Sequence, residues 1–419
     1  MVVGICTYNR KETCQQLVND LTEQGAKVVV LRDGGEEYLI KGAENYAKKN
    51  GGKEGYIATF RYLTQCVLEH AKDEDLCVFM PDDVEIHRYT VDEIEEQFYN
   101  TPEEVCCLNL LADNRTPRKQ FKSHKPYIVQ SYKTQYWNTG WVDGCFACTR
   151  DTLAKIKLKD IGNQFFKMNS SGSGLGHKLS EAFREQGKIW SVVYSLVNHL
   201  GHESVMNPEE RQKHPLITNW KPPVSIIIPY VYDRGYLEQA IESAEAQEYE
   251  GDIEIIESQS NNRVGYNINR GLEEASGHYW RYLCDDDLIP KDATDRQVKE
   301  MNFGYDLVHA NSLHFGPNAT NVKKPTRKQF NARQLAGKNF INGGSCMYRT
   351  SKTIEINGWD EEVWTGEEVE FHLRMLANGG KLGYLDHVTY KYRKHGTQKS
   401  KKDFHKRKEY IEKIRAKYK

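Results

Sequence analysis

Three adjacent carboxylates, Asp285, Asp286 and Asp287, end an apolar and aromatic run that reads WRYLCDDDLIP from Trp280 to Pro290. Like charges at the end of a buried strand repel one another. They are comfortable where a divalent cation or a polyhydroxyl ligand neutralises or solvates them. The other reading is an acidic turn capping the helix that follows. A second acid pair, Asp82 and Asp83, interrupts the apolar stretch DLCVFMPDDVEIH at 75–87, and Asp33 follows the apolar KVVVL at 27–31. Glu367 and Glu368 open the helical pattern EEVEFHLRML at 367–376. A carboxylate there either gains from the helix N-terminus or accepts a proton as a general base. Histidines close apolar stretches in both halves, His199 and His202 in WSVVYSLVNHLGHES at 190–204 and His395 in YKYRKHGTQKS at 390–400.

The elements that must position these groups alternate. VVGICTYNR at 2–10 predicts a strand, 11–24 a helix, 27–35 a second strand, 56–72 a helix and 75–87 a third strand. In an open α/β sheet ligand groups gather at the carboxyl ends of parallel strands, where Asp33, Asp82 and Asp83 fall. Residues 190–204 read as one strand ending in the histidines. The segment 208–223 is rich in charge and proline, ends in Lys221-Pro222-Pro223, and reads as a linker, since proline neither continues a helix nor donates a backbone hydrogen bond. After it the order repeats, with a strand at 224–230, a helix at 236–247, a strand at 252–258, a glycine-bounded helix at 262–277 and the acidic strand. The expected organisation is therefore two copies of one α/β unit, 1–215 and 216–400, followed by a basic helix within 401–419.

At 419 residues the chain is long enough for two such cores. Lys and Arg number 58 against 59 Asp and Glu, so bulk charge names no partner. The tail is different. Residues 391–419 hold thirteen Lys or Arg against three acids, which leaves the rest of the chain at about −11. Ten cysteines without a regular framework fit reduced core thiols, and the single Cys145/Cys148 spacing has no matching pair to make a metal knuckle. The N-terminus lacks a basic, apolar and cleavable leader, and no apolar run is long enough to span a bilayer, so the expectation is a soluble, cytoplasmic protein without a transmembrane segment.

VSIIIPY, IEIIES and NRVGYNINRGLEEASGHYWRYLCDDDLIP together resemble the nucleotide-binding half of the family 2 glycosyltransferases with the GT-A fold, and the resemblance covers nearly all of 224–400. FINGGSCMYRTSKTIEINGWDE at 340–361 is similar to the acceptor-side segment of that family, and EEVEFHLRML to its Glu-Asp motif. The resemblance implies two tandem GT-A domains, Rossmann-like with a mixed, mostly parallel sheet. It further implies a nucleotide-diphosphate sugar as donor and Mn or Mg as cofactor. It makes Glu368 the catalytic base of an inverting transfer, Arg374 the helix arginine, and Glu257, Arg263 and Asp285 donor-side residues. Asp286, Asp287 and His395 become metal-side residues. The register of the triplet stays open between Asp285 with Asp286 and Asp286 with Asp287. Glu257 and Glu368 each stand where Asp is more usual, one methylene longer.

The first half is similar to the same family less completely. Asp33 and Asp82 match its nucleotide side, Asp83 and His199 its metal side, and Trp141 and Asp143 its acceptor segment. No Glu-Asp pair precedes its late helix, where SGLGHKL stands. Either Asp143 serves as base, or the stereochemistry differs, or this half does not catalyse. Two copies imply two transfers. The tail, with an apolar stripe of Tyr410, Ile411 and Ile414 among lysines, either docks on the fold and presents charge to an anionic acceptor or is a solvated face. The acceptors considered are DNA, including modified phage DNA in a host cytoplasm, a teichoic acid or other cell-surface glycan, and a lipid-linked carrier. The alternative class is a noncatalytic binding or scaffold protein built on nucleotide-sugar folds.

Overall fold

The computed structural model describes residues 1–48, 52–112, 127–128, 135–138, 140, 142, 144–157, 175–200, 218–261, 263–317, 319–338, 341–363, 365–396 and 404–418. The chain divides into two compact units, Met1–Trp220 and Lys221–Lys419. The expected boundary at 215 and most of the expected linker lie outside the described residues.

The first unit runs β1 (Val2–Thr7), α1 (Lys11–Glu23), β2 (Lys27–Asp33), β3 (Glu44–Lys48), α2 (Gly52–His70), β4 (Leu76–Pro81), β5 (Val84–Glu85), α3 (Thr90–Tyr99), β6 (Val105–Asn109), β7 (Tyr127–Ile128), β8 (Gln135–Asn138), β9 (Phe146–Thr149), α4 (Arg150–Lys155), α5 (Leu175–Arg184), β10 (Lys188–Val192) and β11 (Asn198–His199). Among the described residues its main sheet has the order β3-β2-β1-β4-β9-β6-β10-β8-β7. β1 lies parallel to both β2 and β4, so the carboxyl ends of three strands, with Thr7, Asp33 and Pro81, share one edge. Val3, Ile5, Val28, Val30 and Val78 bury one face of this parallel core beneath α1, and burying each such side chain contributes about 1.5–3 kcal/mol.

Two strands differ from expectation for physical reasons. The stretch 75–87 is not continuous, because Asp82 and Asp83 form the turn between β4 and β5. The stretch 190–204 also breaks. The Ser195 hydroxyl bonds the backbone of Ala112 and Val197, and Asn198–His199 then pairs antiparallel with β5. Sequence patterning also missed β3, whose ENYAK carries too little apolar alternation to read as a strand but adds parallel to β2 at the sheet edge.

The second unit runs β12 (Val224–Tyr230), α6 (Leu237–Glu245), β13 (Ile253–Gln259), α7 (Val264–Glu274), β14 (Tyr279–Tyr282), α8 (Ala293–Met301), β15 (Leu307–Gly316), β16 (Ala319–Lys323), α9 (Ala332–Gly337), a 3-10 turn at Gly343–Ser345, β17 (Met347–Arg349), α10 (Thr350–Glu355), α11 (Glu367–Ala377), β18 (Leu382–Arg393) and α12 (Phe404–Ala416). The sheet order is β13-β12-β14-β17-β15-β16, with β18 along β15. β12 is parallel to β13 and β14, while β17 is antiparallel to β14 and β15. Both units are thus α/β, with a parallel core of strands extended by antiparallel ones. Trp280 anchors the second core. It stacks on Tyr348 with ring centroids 4.7 Å apart, and its indole N–H donates to the Thr353 hydroxyl at 2.8 Å.

Of the two readings of the basic tail, the described residues of its helix take the docked one. Tyr410, Ile411 and Ile414 of α12 join the core cluster containing Trp359, Val363 and Phe371. The helix belongs to the second unit instead of standing apart from it.

Candidate active site

β14 carries the chain out of the second core, and the three acids that follow meet three different environments. Asp287 turns inward. It is 1 % exposed, its Oδ2 accepts from the Tyr390 hydroxyl at 2.7 Å, and its Oδ1 accepts from the Arg393 backbone N–H at 2.6 Å. Burial, and then the neighbouring charge of Asp286, push its pKa up to about 8. Asp285 faces the loop after β12, where Arg234 grips it with Nη2 at 2.6 Å and Nε at 3.2 Å. Burial raises the Asp285 pKa and Arg234 opposes that rise. Asp286 is shared. Its Oδ2 lies 3.1 Å from Arg234 Nη2 and 2.8 Å from His395 Nε2. Asp285 and Asp286 therefore form one acid pair under one guanidinium, and Asp287 is a buried strut beneath them.

Among the described residues, Cys284, Asp286 and Asp287 bring ligand atoms within 4.8 Å of one another. Cys284 is a poor member of that set for Mn or Mg. Burial and the three acids hold its thiol protonated, and these cations take oxygen ligands.

Glu368 stands in the first turn of α11, just past Gly366, whose φ of 76° reverses the chain. Its Oε2 accepts from the Tyr282 hydroxyl at 3.3 Å. Gly343 comes so close that a Cβ there would lie 2.8 Å from Glu368 Oε2 and collide with the Tyr282 hydroxyl. Only glycine fits between the two. Tyr282 is the last residue of β14, so the strand that delivers the acid pair also holds Glu368.

Other expected residues are engaged differently. Arg374 grips Glu370 through Nε at 2.8 Å and Nη2 at 2.9 Å and also holds the carbonyls of Ile356 and Gly358, which locks the turn after α10. Arg263 Nη1 donates to the carbonyls of Glu361 and Glu362 at 3.1 and 3.0 Å, a loop contact. Glu257 is exposed at the end of β13, with the Tyr230 hydroxyl 3.4 Å from its Oε2.

The first unit builds a similar centre after β4. Arg10 Nη1 lies 2.8 Å from Asp82 Oδ1 and 2.9 Å from Asp83 Oδ2. The Thr7 hydroxyl donates to Asp82 Oδ2 at 2.8 Å, and His199 Nε2 is 3.4 Å from Asp83 Oδ1. Burial raises the Asp82 pKa against the pull of Arg10, as at Asp285. Asp33 is buried at the end of β2. Trp141 and Asp143 lie outside the described residues. α5 has no acid in its first turn, so it offers no counterpart of Glu368.

Sequence reasoning missed Arg10, Arg234, Tyr282, Tyr390 and Gly343. The arginines carried a readable signal, since one stands in the loop shortly after each first strand, Arg10 after β1 and Arg234 after β12.

The second unit is an α/β fold with an acid pair after the third strand of its parallel core, and the comparisons of the chain with known proteins point to glycosyltransferases. Residues 236–356 match the family described as Glycosyl transferase family 2. The chain is 30% identical over 120 residues to "GalNAc(5)-diNAcBac-PP-undecaprenol beta-1,3-glucosyltransferase" of Campylobacter jejuni, covering 22% of this chain and 38% of that protein. It is 24% identical over 228 residues to an "Uncharacterized glycosyltransferase" of Rickettsia bellii, covering 45% of this chain and 32% of that protein. It thus spans about a third of the length of these curated relatives. Among solved structures, S. aureus TarS 1-349 in complex with UDP-GlcNAc aligns over 46% of this chain and 65% of that one, at 15% identity and a TM-score of 0.38, too distant to carry a further conclusion. No helix among the described residues is long and apolar enough to cross a membrane.

Proposed function

We propose that the second unit is a metal-dependent, inverting glycosyltransferase that moves a sugar from a nucleotide-diphosphate sugar to an acceptor hydroxyl. The observation that carries this reading is the bond from Tyr282 to Glu368, because it fixes a candidate base to the strand that leads, through Leu283 and Cys284, into the acid pair. Glu368 accepts the proton of the attacking hydroxyl. Attack on the face opposite the leaving diphosphate inverts the anomeric carbon. Arg234 supplies fixed positive charge beside the acids, and Glu257 at the end of β13 reads the nucleotide. Arg263 acts through the 361–362 loop that it holds.

The residues present fit Mn or Mg. Asp286 would offer a carboxylate oxygen and His395 an imidazole nitrogen, and Asp285 could join them only by giving up part of the Arg234 grip on its two oxygens, while both oxygens of Asp287 are held by Tyr390 and Arg393. A bound cation offsets the charge that develops on the departing diphosphate.

The first unit is proposed as a second transferase in tandem, with Asp33 and Asp82 on the donor side and Asp83 and His199 on the metal side. Asp143 is the candidate base there. A lipid-linked carrier is favoured among the anionic acceptors, because the C. jejuni relative is named for an undecaprenol-linked substrate. DNA and teichoic acid are the alternatives, and the cytoplasm is the proposed location.

The test is transfer or hydrolysis by the full chain across a panel of UDP- and GDP-sugars, with Mn and with a chelator. Turnover that survives chelation sinks the metal, and a retained anomeric configuration sinks inversion. Donor binding without any turnover favours the scaffold reading over the enzyme.

A further inference from the structure

β15 and β18 run in parallel, with Tyr390 beside Ser312 and Tyr392 beside His314, while β16 sets Lys323 opposite Ser312. Residues paired in this way share a face, and so do residues two apart along a strand. Ser312, Lys323, His314, Tyr390 and Tyr392 therefore stand on one side of the sheet. It is the side that serves the proposed acceptor loop. Asn342, the residue before Gly343, donates to the Ser312 hydroxyl at 3.0 Å, and Gly344 packs on the Tyr390 ring.

Positive charge gathers on that side. Lys394 Nζ lies 4.7 Å from the centroid of Tyr392, whose ring is 5.0 Å from that of His314. The Lys394 backbone N–H donates to the Phe315 carbonyl at 2.7 Å, which fixes the residue in place. Burial, and then the charges of Lys394 and Lys323, hold the His314 pKa below its ordinary value, as expected where both lysines crowd it. Among the described residues neither Lys323 nor Lys394 has a carboxylate in ion-pair range. The acid of this region, Asp386, is taken by Lys324 at 2.8 Å and Lys328 at 3.8 Å. Both lysines bear on the His314 ring, and an anion held over that face would offset two positive charges at once.

We propose that Lys323 and Lys394, with Tyr392 and His314 between them, form a subsite for a phosphate group carried by the acceptor. This rests on the glycosyl-transfer reading of Glu368 and assigns the acceptor's chemistry. Two compact ammonium groups with three donors each suit a multiply charged phosphate.

The test is calorimetric titration of the full chain with inorganic phosphate at fixed ionic strength, with and without saturating UDP. The expected result is a phosphate site that UDP does not displace. Lys323→Gln with Lys394→Gln should weaken it roughly tenfold and leave UDP affinity unchanged, and the corresponding double Arg variant should retain it. The same titration with a short-chain prenyl phosphate and with a dinucleotide names the source, since the ligand weakened by the double Gln variant is the one the subsite takes. Phosphate that competes with UDP, or binds equally well to the double Gln variant, overturns the subsite. Failure of the unaltered protein to bind any sugar nucleotide counts instead against the donor reading.

Discussion

The acid centres of the two units are built from the same parts, yet among the described residues only the second unit's late helix carries carboxylates in its first turn. Arg10, Asp82, Asp83 and His199 in the first unit answer to Arg234, Asp285, Asp286 and His395 in the second, with one guanidinium across two carboxylates and one imidazole on the second of them. Each centre is assembled by a parallel strand end, the loop after the first strand and a closing strand. Glu368 is not part of that assembly. It arrives on a separate helix, wedged by Tyr282 and Gly343, and the first unit's α5 has no acid in its first turn. The difference is that both units share the acid centre, whereas among the described residues a carboxylate in the first turn of the late helix belongs to the second unit alone.

Breaking the asymmetry at the base should have the largest effect. Glu368→Gln in the full chain should lower transfer by the second unit about 10²- to 10⁴-fold while donor binding, followed by thermal shift, persists. Unchanged turnover would remove Glu368 from the chemistry and make the two units equivalent.

The acid pairs test the symmetry itself. Asp285→Asn with Asp286→Asn should abolish stabilisation by the cognate UDP- or GDP-sugar in one unit, and Asp82→Asn with Asp83→Asn should do the same in the other. Two separately erased ligand shifts would make both units binding units. A single shift, lost only with Asp285 and Asp286, would leave the first unit a structural copy.

A smaller effect distinguishes the units through stability. Ile414 is buried in the second core, and Ile411 packs so closely on Gly366 that a Cβ there would lie 2.6 Å from its Cγ1. Ile414→Ala should cost the second unit about 2–5 kcal/mol, read by denaturant unfolding, without moving the transition of the first. Loss of stability in both units together would show that they do not unfold independently.

The mildest contrast is with pH. His372, on the same helix as Glu368, is fully buried against the Tyr348 hydroxyl at 2.9 Å, and burial holds its pKa down to about 3. The folded state therefore keeps it neutral while the unfolded chain takes up a proton near the ordinary value of about 6.5. Stability from this group is complete above that value and is lost as pH falls from there towards 3. Mild acid should therefore destabilise the second unit through this group. His372→Asn should flatten that slope, and an unaltered slope would assign the acid sensitivity elsewhere.

Much of this architecture is legible in residue order. Apolar runs, glycines and prolines mark β1, α1, β2 and β12 through β14 within a few residues, because strand and helix periodicity are local properties of the chain. The acid pairs are legible for the same reason, since carboxylates directly after a buried strand must lie at a sheet edge. The apolar stripe of the tail left docking and a solvated face both open, and only the packing of Tyr410, Ile411 and Ile414 on the second core decided it. What sequence could not decide is which partner each charged group meets. Arg10 reaches Asp82 across 72 residues, Arg234 reaches Asp285 across 51, Glu368 meets Tyr282 across 86 and His395 meets Asp286 across 109. The triplet opening at Asp285 shows the division plainly. Its place at the end of β14 follows from composition alone. That Asp285 and Asp286 face the cations while Asp287 is buried under Tyr390 follows only from the packing of β18 beside it, because burial and long-range hydrogen bonding give three identical side chains three different environments.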